Sequence, residues 1–402
     1  MRKFASSLAV AVIACLPQMA LAQSEPQFTV DVSVGGGVAT NPFLYSDGDT
    51  AASATVSVSP SVFVEDELGQ TRIGGDLRLT QYLSDYGSDI SGRLEASTTR
   101  RLDERTDVRV DAYVRTVRSA AHDSLLFASG PAEVPGPLLP PGPPIIDTTL
   151  AGTRARVTSV GTSFGLSHLL DEVSSLNTGV TLNGTYIGND VGFDYRSAST
   201  HFGYQRRLSP RTTATLSTQL MAVDYLGRRT GDSVIISPRA GIQQQLSDRL
   251  SLVADAGISY VRTKLGNGFH SKLVSFAGSV GLCDRSPNRS LCVSAGRSAQ
   301  PTALGGVSTV TTASVNYDAR LSRVDRISLA GRYGRTNEDG VGLPGVRVTD
   351  FLGASATYSR DINDRIAFTV TPGYSKIFDD VLPRSANYSL MVGVTIRFGK
   401  PR

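Results

Sequence analysis

Residues 243–260, QQQLSDRLSLVADAGISY, alternate in polarity with period two on both sides of a short polar turn. Leu250, Leu252, Ala254, Ala256, Ile258 and Tyr260 share one parity. Ser251, Asp255, Gly257 and Ser259 share the other, with Val253 as the exception. Upstream, Val234, Ile236, Ala240, Ile242 and Leu246 alternate with Ser233, Ser237, Arg239, Gly241, Gln243 and Gln245. Alternation sustained in this way describes a strand with one apolar and one polar face. Two such strands around a short polar turn make a hairpin.

The unit recurs at RLDERTDV (101–108), LLDEVSSL (169–176), RLSPRTTA (207–214), LSRVDRISL (321–329) and INDRIAF (362–368). VEDELGQTRI (64–73) is a looser copy. Between these turns lie longer, irregular segments around 40–51, 84–88, 118–152, 188–193, 226–231, 264–270, 302–306, 338–346 and 378–386. Short turns alternating with long loops, on strands with one apolar face, predict a transmembrane antiparallel up-and-down β-barrel. A soluble sandwich has no reason for two loop classes, and a solenoid keeps a fixed repeat length. The pattern gives eighteen strands, from near 28 to near 386, or sixteen if the segments near 153 and 291 are not strands. An even count places every short turn on the periplasmic side and every long loop outside.

Lipid offers no partner to backbone N–H and C=O groups, so the strands must close on themselves. At this width the interior holds water, an in-folded loop, or both. Phe28, Tyr82, Tyr113, Tyr186, Tyr195, Tyr225, Tyr260, Tyr333, Tyr374 and Tyr388, near strand ends, are the candidates for aromatic girdles, because the chain has no Trp. Pro60, Pro238 and Pro372 fall on apolar positions inside strands. Each marks a bulge or a different register there, since proline cannot donate to a ladder.

The chain opens with Arg2 and Lys3, an apolar run from Phe4 to Leu16, and ALAQS at 20–24. This predicts a cleaved signal peptide over 1–22 and an outer-membrane barrel over 23–402. VIAC at 12–15 offers a lipoprotein signal as the alternative. No later apolar run is long enough for a membrane helix. Net charge is +4, and Arg2 and Lys3 belong to the leader. The remainder is close to neutral and gives no reason to expect a nucleic-acid partner. Among 40 basic residues, Lys occupies only positions 3, 264, 272, 376 and 400. Arginine suits paired and lumen-lining positions, and GC-rich codons give the same bias.

Candidate chemistry lies on the polar parity and in the long loops. Arg72, Asp76, Arg78, Arg93, Glu95, Arg101, Asp107, Arg109, Asp111 and Arg115 share the expected lumen face. They form either a transverse field that orients cargo or a ladder of cross-strand ion pairs. The proline-rich stretch GPAEVPGPLLPPGPPIID (130–147), within the third outer loop at 118–152, is either a stiff constriction or an exposed tip. Cys283 and Cys292 flank CDRSPNRSLC and suit a local disulfide worth about 2–3 kcal/mol. No metal-ligand set, cofactor loop or catalytic constellation emerges. GTSFG (161–165) matches a hydrolase elbow in letters, but lies within a strand with no helix after it. His122, His168, His201 and His270 are scattered.

The last strand, NYSLMVGVTIRFG, puts Tyr388, Leu390, Val392, Val394, Ile396 and Phe398 on one face and ends in an aromatic four residues before the terminus. It resembles the C-terminal signal read by the barrel assembly machinery, with Phe398 as the signal residue. The opening VDVSVGGGVATNPFL (30–44), followed by barrel strands to the end, resembles the β-barrel porin type 2 family of proteobacterial outer-membrane proteins. That resemblance implies a channel that passes exopolysaccharide across the outer membrane with periplasmic export components, and no catalytic residues. A general or solute-selective diffusion porin, and a structural or enzymatic barrel, remain the alternatives. No plug-type energised transporter or autotransporter is expected.

Overall fold

The alternating segments all run as strands. A computed structural model describes residues 26–83, 86–118, 155–188, 192–226, 231–265, 270–303, 305–337, 348–379 and 384–399. The expected leader at 1–22 and, apart from Arg118, the loop at 118–152 lie outside them. In chain order the strands begin with β1 (Gln27–Ala39), β2 (Ala51–Asp66), β3 (Gly69–Tyr82), β4 (Ser88–Asp103), β5 (Thr106–Val117) and β6 (Val157–Leu169). They continue with β7 (Ser174–Ile187), β8 (Tyr195–Ser209), β9 (Thr212–Tyr225), β10 (Gly231–Gln245), β11 (Leu250–Leu265) and β12 (His270–Ser286). The last six are β13 (Arg289–Pro301), β14 (Val307–Arg320), β15 (Asp325–Asn337), β16 (Val348–Asp361), β17 (Ile366–Asp379) and β18 (Asn387–Gly399).

All eighteen belong to one antiparallel sheet in which each strand pairs with its sequence neighbours. β1 closes the sheet on β18, from Thr29↔Gly399 to Ala39↔Ser389. The two faces of this cylinder are chemically distinct. One carries Leu77, Leu216, Val274 and Phe276, each about three-fifths exposed, and it is the outer wall. On the other, hydroxyls meet across strands: Ser33 with Thr395 at 2.7 Å, Ser237 with Ser259 at 2.8 Å, Ser233 with Thr263 at 2.9 Å. This face also bears contacts between strands far apart in the sheet, which can meet only inside.

The three prolines introduce neither a bulge nor a shift. β2 and β3 pair Val58↔Leu77 and then Ser61↔Gly74, so the register is the same on both sides of Pro60. Pro238 and Pro372 leave equivalent gaps against β11 and β16. Each keeps its Cα partner on the other neighbour: Val30, Thr218 and Leu390. The missing donor costs the ladder its local bonds on one side without adding a residue.

Four of the ten girdle candidates are corrected. Tyr82, Tyr113, Tyr195 and Tyr225 stand on the inner parity. Tyr82 and Tyr225 are almost fully buried, and Tyr113 donates to Asn183 Oδ1 at 3.1 Å. Phe28, Tyr186, Tyr260, Tyr333, Tyr374 and Tyr388 face outward, and the rings of Tyr374 and Tyr388 lie 5.3 Å apart.

The short turns share one device. In LSDRL, Ser247 Oγ accepts from the N–H of Arg249 at 3.3 Å and of Leu250 at 3.1 Å. Asp66, Asp103, Asp171, Ser209, Ser322 and Asn363 accept from the backbone two residues on in the same way. A side-chain oxygen thus fixes each turn locally. Ser247→Ala is expected to cost about 1 kcal/mol, read as a lower urea-unfolding midpoint in liposomes. At Asp171 the Val173 N–H, foremost among its partners, holds the carboxyl below its ordinary value. A lowered pKa stabilises the fold above the unfolded value and is lost as pH falls through the folded one, here below about pH 4. Asp171→Asn keeps an acceptor but cannot titrate, so its unfolding profile should be flatter than that of the parent in that acid window and unchanged at neutral pH.

Candidate functional site

The inner wall of β3 to β5 is the most heavily charged stretch of sequence. Arg72, Asp76 and Arg78 on β3, Arg93, Glu95 and Arg101 on β4, and Asp107, Arg109, Asp111 and Arg115 on β5 all share the inner parity. The ion pairs among them run chiefly along strands. Arg93 pairs with Glu95, and Arg109 Nε lies 3.0 Å from Asp111 Oδ2, each two residues apart on one face. Arg101 and Asp107, at 3.8 Å, are the cross-strand pair of this group. Serines donate to two of the acids: Ser59 to Asp76 Oδ2 at 2.7 Å and Ser163 to Asp111 Oδ2 at 3.1 Å.

The sequence leaves open an arginine facing an acid across the lumen. Two arginines on opposite walls share the inner parity. Arg115 on β5 and Arg332 on β15 interact electrostatically, although they stand on opposite walls of the sheet order. The acids are held by neighbours on their own wall.

At the long-loop end, two segments fold into the mouth. The first joins β1 to β2. Asn41 is buried and acts as its pivot: Nδ2 donates to the carbonyls of Tyr45 at 2.9 Å and Ser385 at 3.3 Å, and Oδ1 accepts from Tyr45 N–H at 3.0 Å. Asn41 N–H in turn donates to Asn387 Oδ1 at 3.0 Å. Gly48 lies so close to the Asn41 carboxamide that a Cβ there would overlap it. Beyond this turn Phe43 packs with Tyr45, Tyr82 and Tyr86. Leu44, held at φ 56°, packs on Phe351 and Ile377 of the inner wall. A branched residue adopts that backbone region only when its surroundings fix it, and both its side chain and its carbonyl, which accepts from Arg384, are held.

The second segment is the tip of the β13–β14 hairpin. Ala299 and Val307 pack against Ile235 and Val261, with Met221 and Leu273 beside them, all on the inner face of β9 to β12. Val307, Ser308, Thr309 and Val310 are all buried, so both faces of this stretch are covered. The tip reaches further still. Ala303 packs on Ala155 and Ile187 and accepts from Phe193 N–H at 2.7 Å. Tyr225 Oη donates to the carbonyl of Gly306. Gly305, at φ 81°, makes the turn against the Phe193 ring.

The narrowing therefore comes, among the described residues, from 41–45 and 299–310. Sequence reasoning treated both as ordinary loop ends. A signal was present at Val307–Val310, where VSTV puts a valine on each parity and the alternation lapses.

Cys283 and Cys292 are direct antiparallel partners with Cα atoms 4.2 Å apart, bonded at the short-turn end. Phe398 pairs with Val30 on the outer wall and is half exposed. The GTSFG stretch runs through the middle of β6, where the Tyr113 ring lies over Gly161. No group of three or more metal-ligating side chains occurs among the described residues.

These features define the class: a closed, eighteen-stranded antiparallel barrel with an apolar outer wall, a polar and charged inner wall, and a mouth narrowed by its own loops. No family model matches the chain, and no curated protein does. Among solved structures, it is similar to OccK2 (OpdF) of Pseudomonas aeruginosa, solved in complex with glucuronate. The TM-score is 0.47 and the identity 12%, over 94% of this chain and 99% of that one. OccK7 (OpdD) of the same organism gives 0.46 and 10%, over 94% and 100%. The FrpB iron transporter of Neisseria meningitidis (F5-1 variant) gives 0.46 and 9%, over 93% and 83%. These are likenesses of form, and nothing about activity follows from them.

Asn41→Ala removes three hydrogen bonds of a buried side chain. It is expected to cost about 2 kcal/mol and to expose the aromatic segment Phe43–Tyr45 to external chymotrypsin, which the parent should resist. Cleavage mapped by mass spectrometry checks this.

Proposed function

We propose that this protein is an outer-membrane diffusion channel for small polar solutes, with a preference for anions. The observation that carries the reading is the sidedness of the wall. Leucine, valine, isoleucine and phenylalanine cover the outside, where lipid would meet them. Hydroxyls and paired charges cover the inside, and a sheet this wide encloses space for water. The inward-facing Arg332 supports an anionic bias of the lumen, because fixed guanidinium charge lowers the barrier to anions and raises it to cations. Phe398, exposed at the end of β18, serves in this reading as the residue offered to the barrel assembly machinery.

Export of a polysaccharide is the finer alternative, and it rests on the resemblance of 30–44 to β-barrel porin type 2 chains. The buried β13–β14 tip across the mouth favours small solutes over a polymer. Deleting the gene separates the two: loss of secreted polymer supports export, whereas altered uptake of small solutes supports the porin.

Purified protein in planar bilayers is expected to conduct ions, with anions favoured. Arg332→Gln should reduce the anion-to-cation permeability ratio measured by reversal potential. Tyr225→Phe, which frees the Gly306 tether, should raise single-channel conductance. A folded, heat-modifiable barrel that carries no current would overturn the channel reading.

A further inference from the structure

Three observations meet on one part of the outer wall. β12 and β13 are hydrogen-bonded neighbours from Ser286↔Arg289 to Gly278↔Arg297, and there the ladder stops. β12 nevertheless continues to His270, still paired with β11 as far as Lys264↔His270. β13 continues to Pro301 paired with β14, and the two turn inward to bury Ala299 and Val307 against the inner face of β10 to β12. The outer halves of β12 and β13 therefore part. They leave a notch in the wall that opens toward the long-loop end.

Lipid cannot satisfy an open strand edge, so water or a polar ligand must fill this notch. Arg297 indicates which. It is in register with Gly278, at the foot of the notch, and it shares the outward parity of Phe276 and Val280 on β12. Its Nε is buried and has no hydrogen-bond partner. An ionisable group at the edge of an apolar band calls for a counter-charge. The lip above it is apolar: Val274 and Phe276 of β12 are 62% and 58% exposed. A cation at the foot and hydrocarbon along the lip match a molecule with one acid group and one long tail.

We propose that the notch between β12 and β13 binds an anionic amphiphile, its acid group forked onto the Arg297 guanidinium and its tail along Val274 and Phe276. The site rests on the reading that the barrel is embedded in a bilayer. It does not depend on conduction.

The chain has no Trp, so one introduced indole reports on its own surroundings. Phe276→Trp, in phosphatidylcholine liposomes at alkaline pH, is to be titrated with a brominated long-chain fatty acid and with its methyl ester. Val274→Trp is the second reporter if the first does not assemble, and Phe202→Trp, outward on β8, is the reference. The acid is expected to quench the notch reporter at about tenfold lower concentration than the ester. Arg297→Gln should abolish that preference and leave single-channel conductance unchanged, and Phe202→Trp should show no preference. Equal quenching by acid and ester, a preference that survives Arg297→Gln, or the same preference at the reference overturns the site. A brominated phospholipid that fails to quench Phe202→Trp overturns the bilayer reading itself, and the site with it.

Discussion

A strand edge exposed to hydrocarbon has nothing to bond with, and every major feature of this barrel answers that constraint. The sheet has no free edge because β1 lies along β18 over eleven register positions, Thr29 to Ala39. Each wall strand needs partners on both sides, so proline is admitted only where it gives up bonds to one neighbour and keeps its place in register. Pro60, Pro238 and Pro372 all do this. The same constraint makes the parting of β12 from β13 conspicuous. Elsewhere the ladders run nearly the length of each shared strand pair, whereas here one strand goes on alone while its neighbour turns inside.

Once the wall is closed, the inner face is free to be polar, and the chain uses that freedom unevenly. β3 to β5 carry most of the arginine and acid pairs, whereas β10 to β12 carry one such pair, Arg239 with Asp255, hydroxyls and, near the mouth, the apolar patch of Ile235, Val261 and Leu273. That patch would be out of place facing water. It is accounted for by the hairpin tip that covers it, just as Phe351 and Ile377 are accounted for by Leu44. The two in-folded segments thus rest on apolar seats that the wall supplies on otherwise polar strands.

Much of this was legible in the sequence, because period two survives wherever one face of a strand is apolar and the other polar. The strands, the two loop classes and the inner parity of the charged residues follow from it. What failed to follow had physical reasons. The tyrosines at 82, 113, 195 and 225 were assigned by nearness to strand ends, while their parity already placed them inside. A cross-strand ladder was one of two readings of the charged face, and Arg101 with Asp107 is such a pair, but an arginine reaches an acid two positions along its own face just as well, as Arg93 and Arg109 do. The loop at 118–152, read as either a constriction or an exposed tip, lies outside the described residues apart from Arg118, and loop length says nothing about apolar seats on the wall beneath the other loops. The parting of β12 and β13 left little trace, because β13 goes on alternating in composition after it has left the wall.

The polar turns have a consequence for how such a molecule is put together. Most are set by an oxygen of their own, such as Ser247, Asp171 or Asn363, and adjoining turns are linked by little more than a backbone bond or the Arg211–Asp248 ion pair. Two strands and their turn are consequently a portable module, and contacts in the wall are between neighbours except at the single seam where the last strand meets the first. Gene duplication or loss of one module would alter the circumference by two strands and leave every remaining turn intact. Pore width is in this sense a quantity that lineages can adjust in whole steps without redesigning the wall.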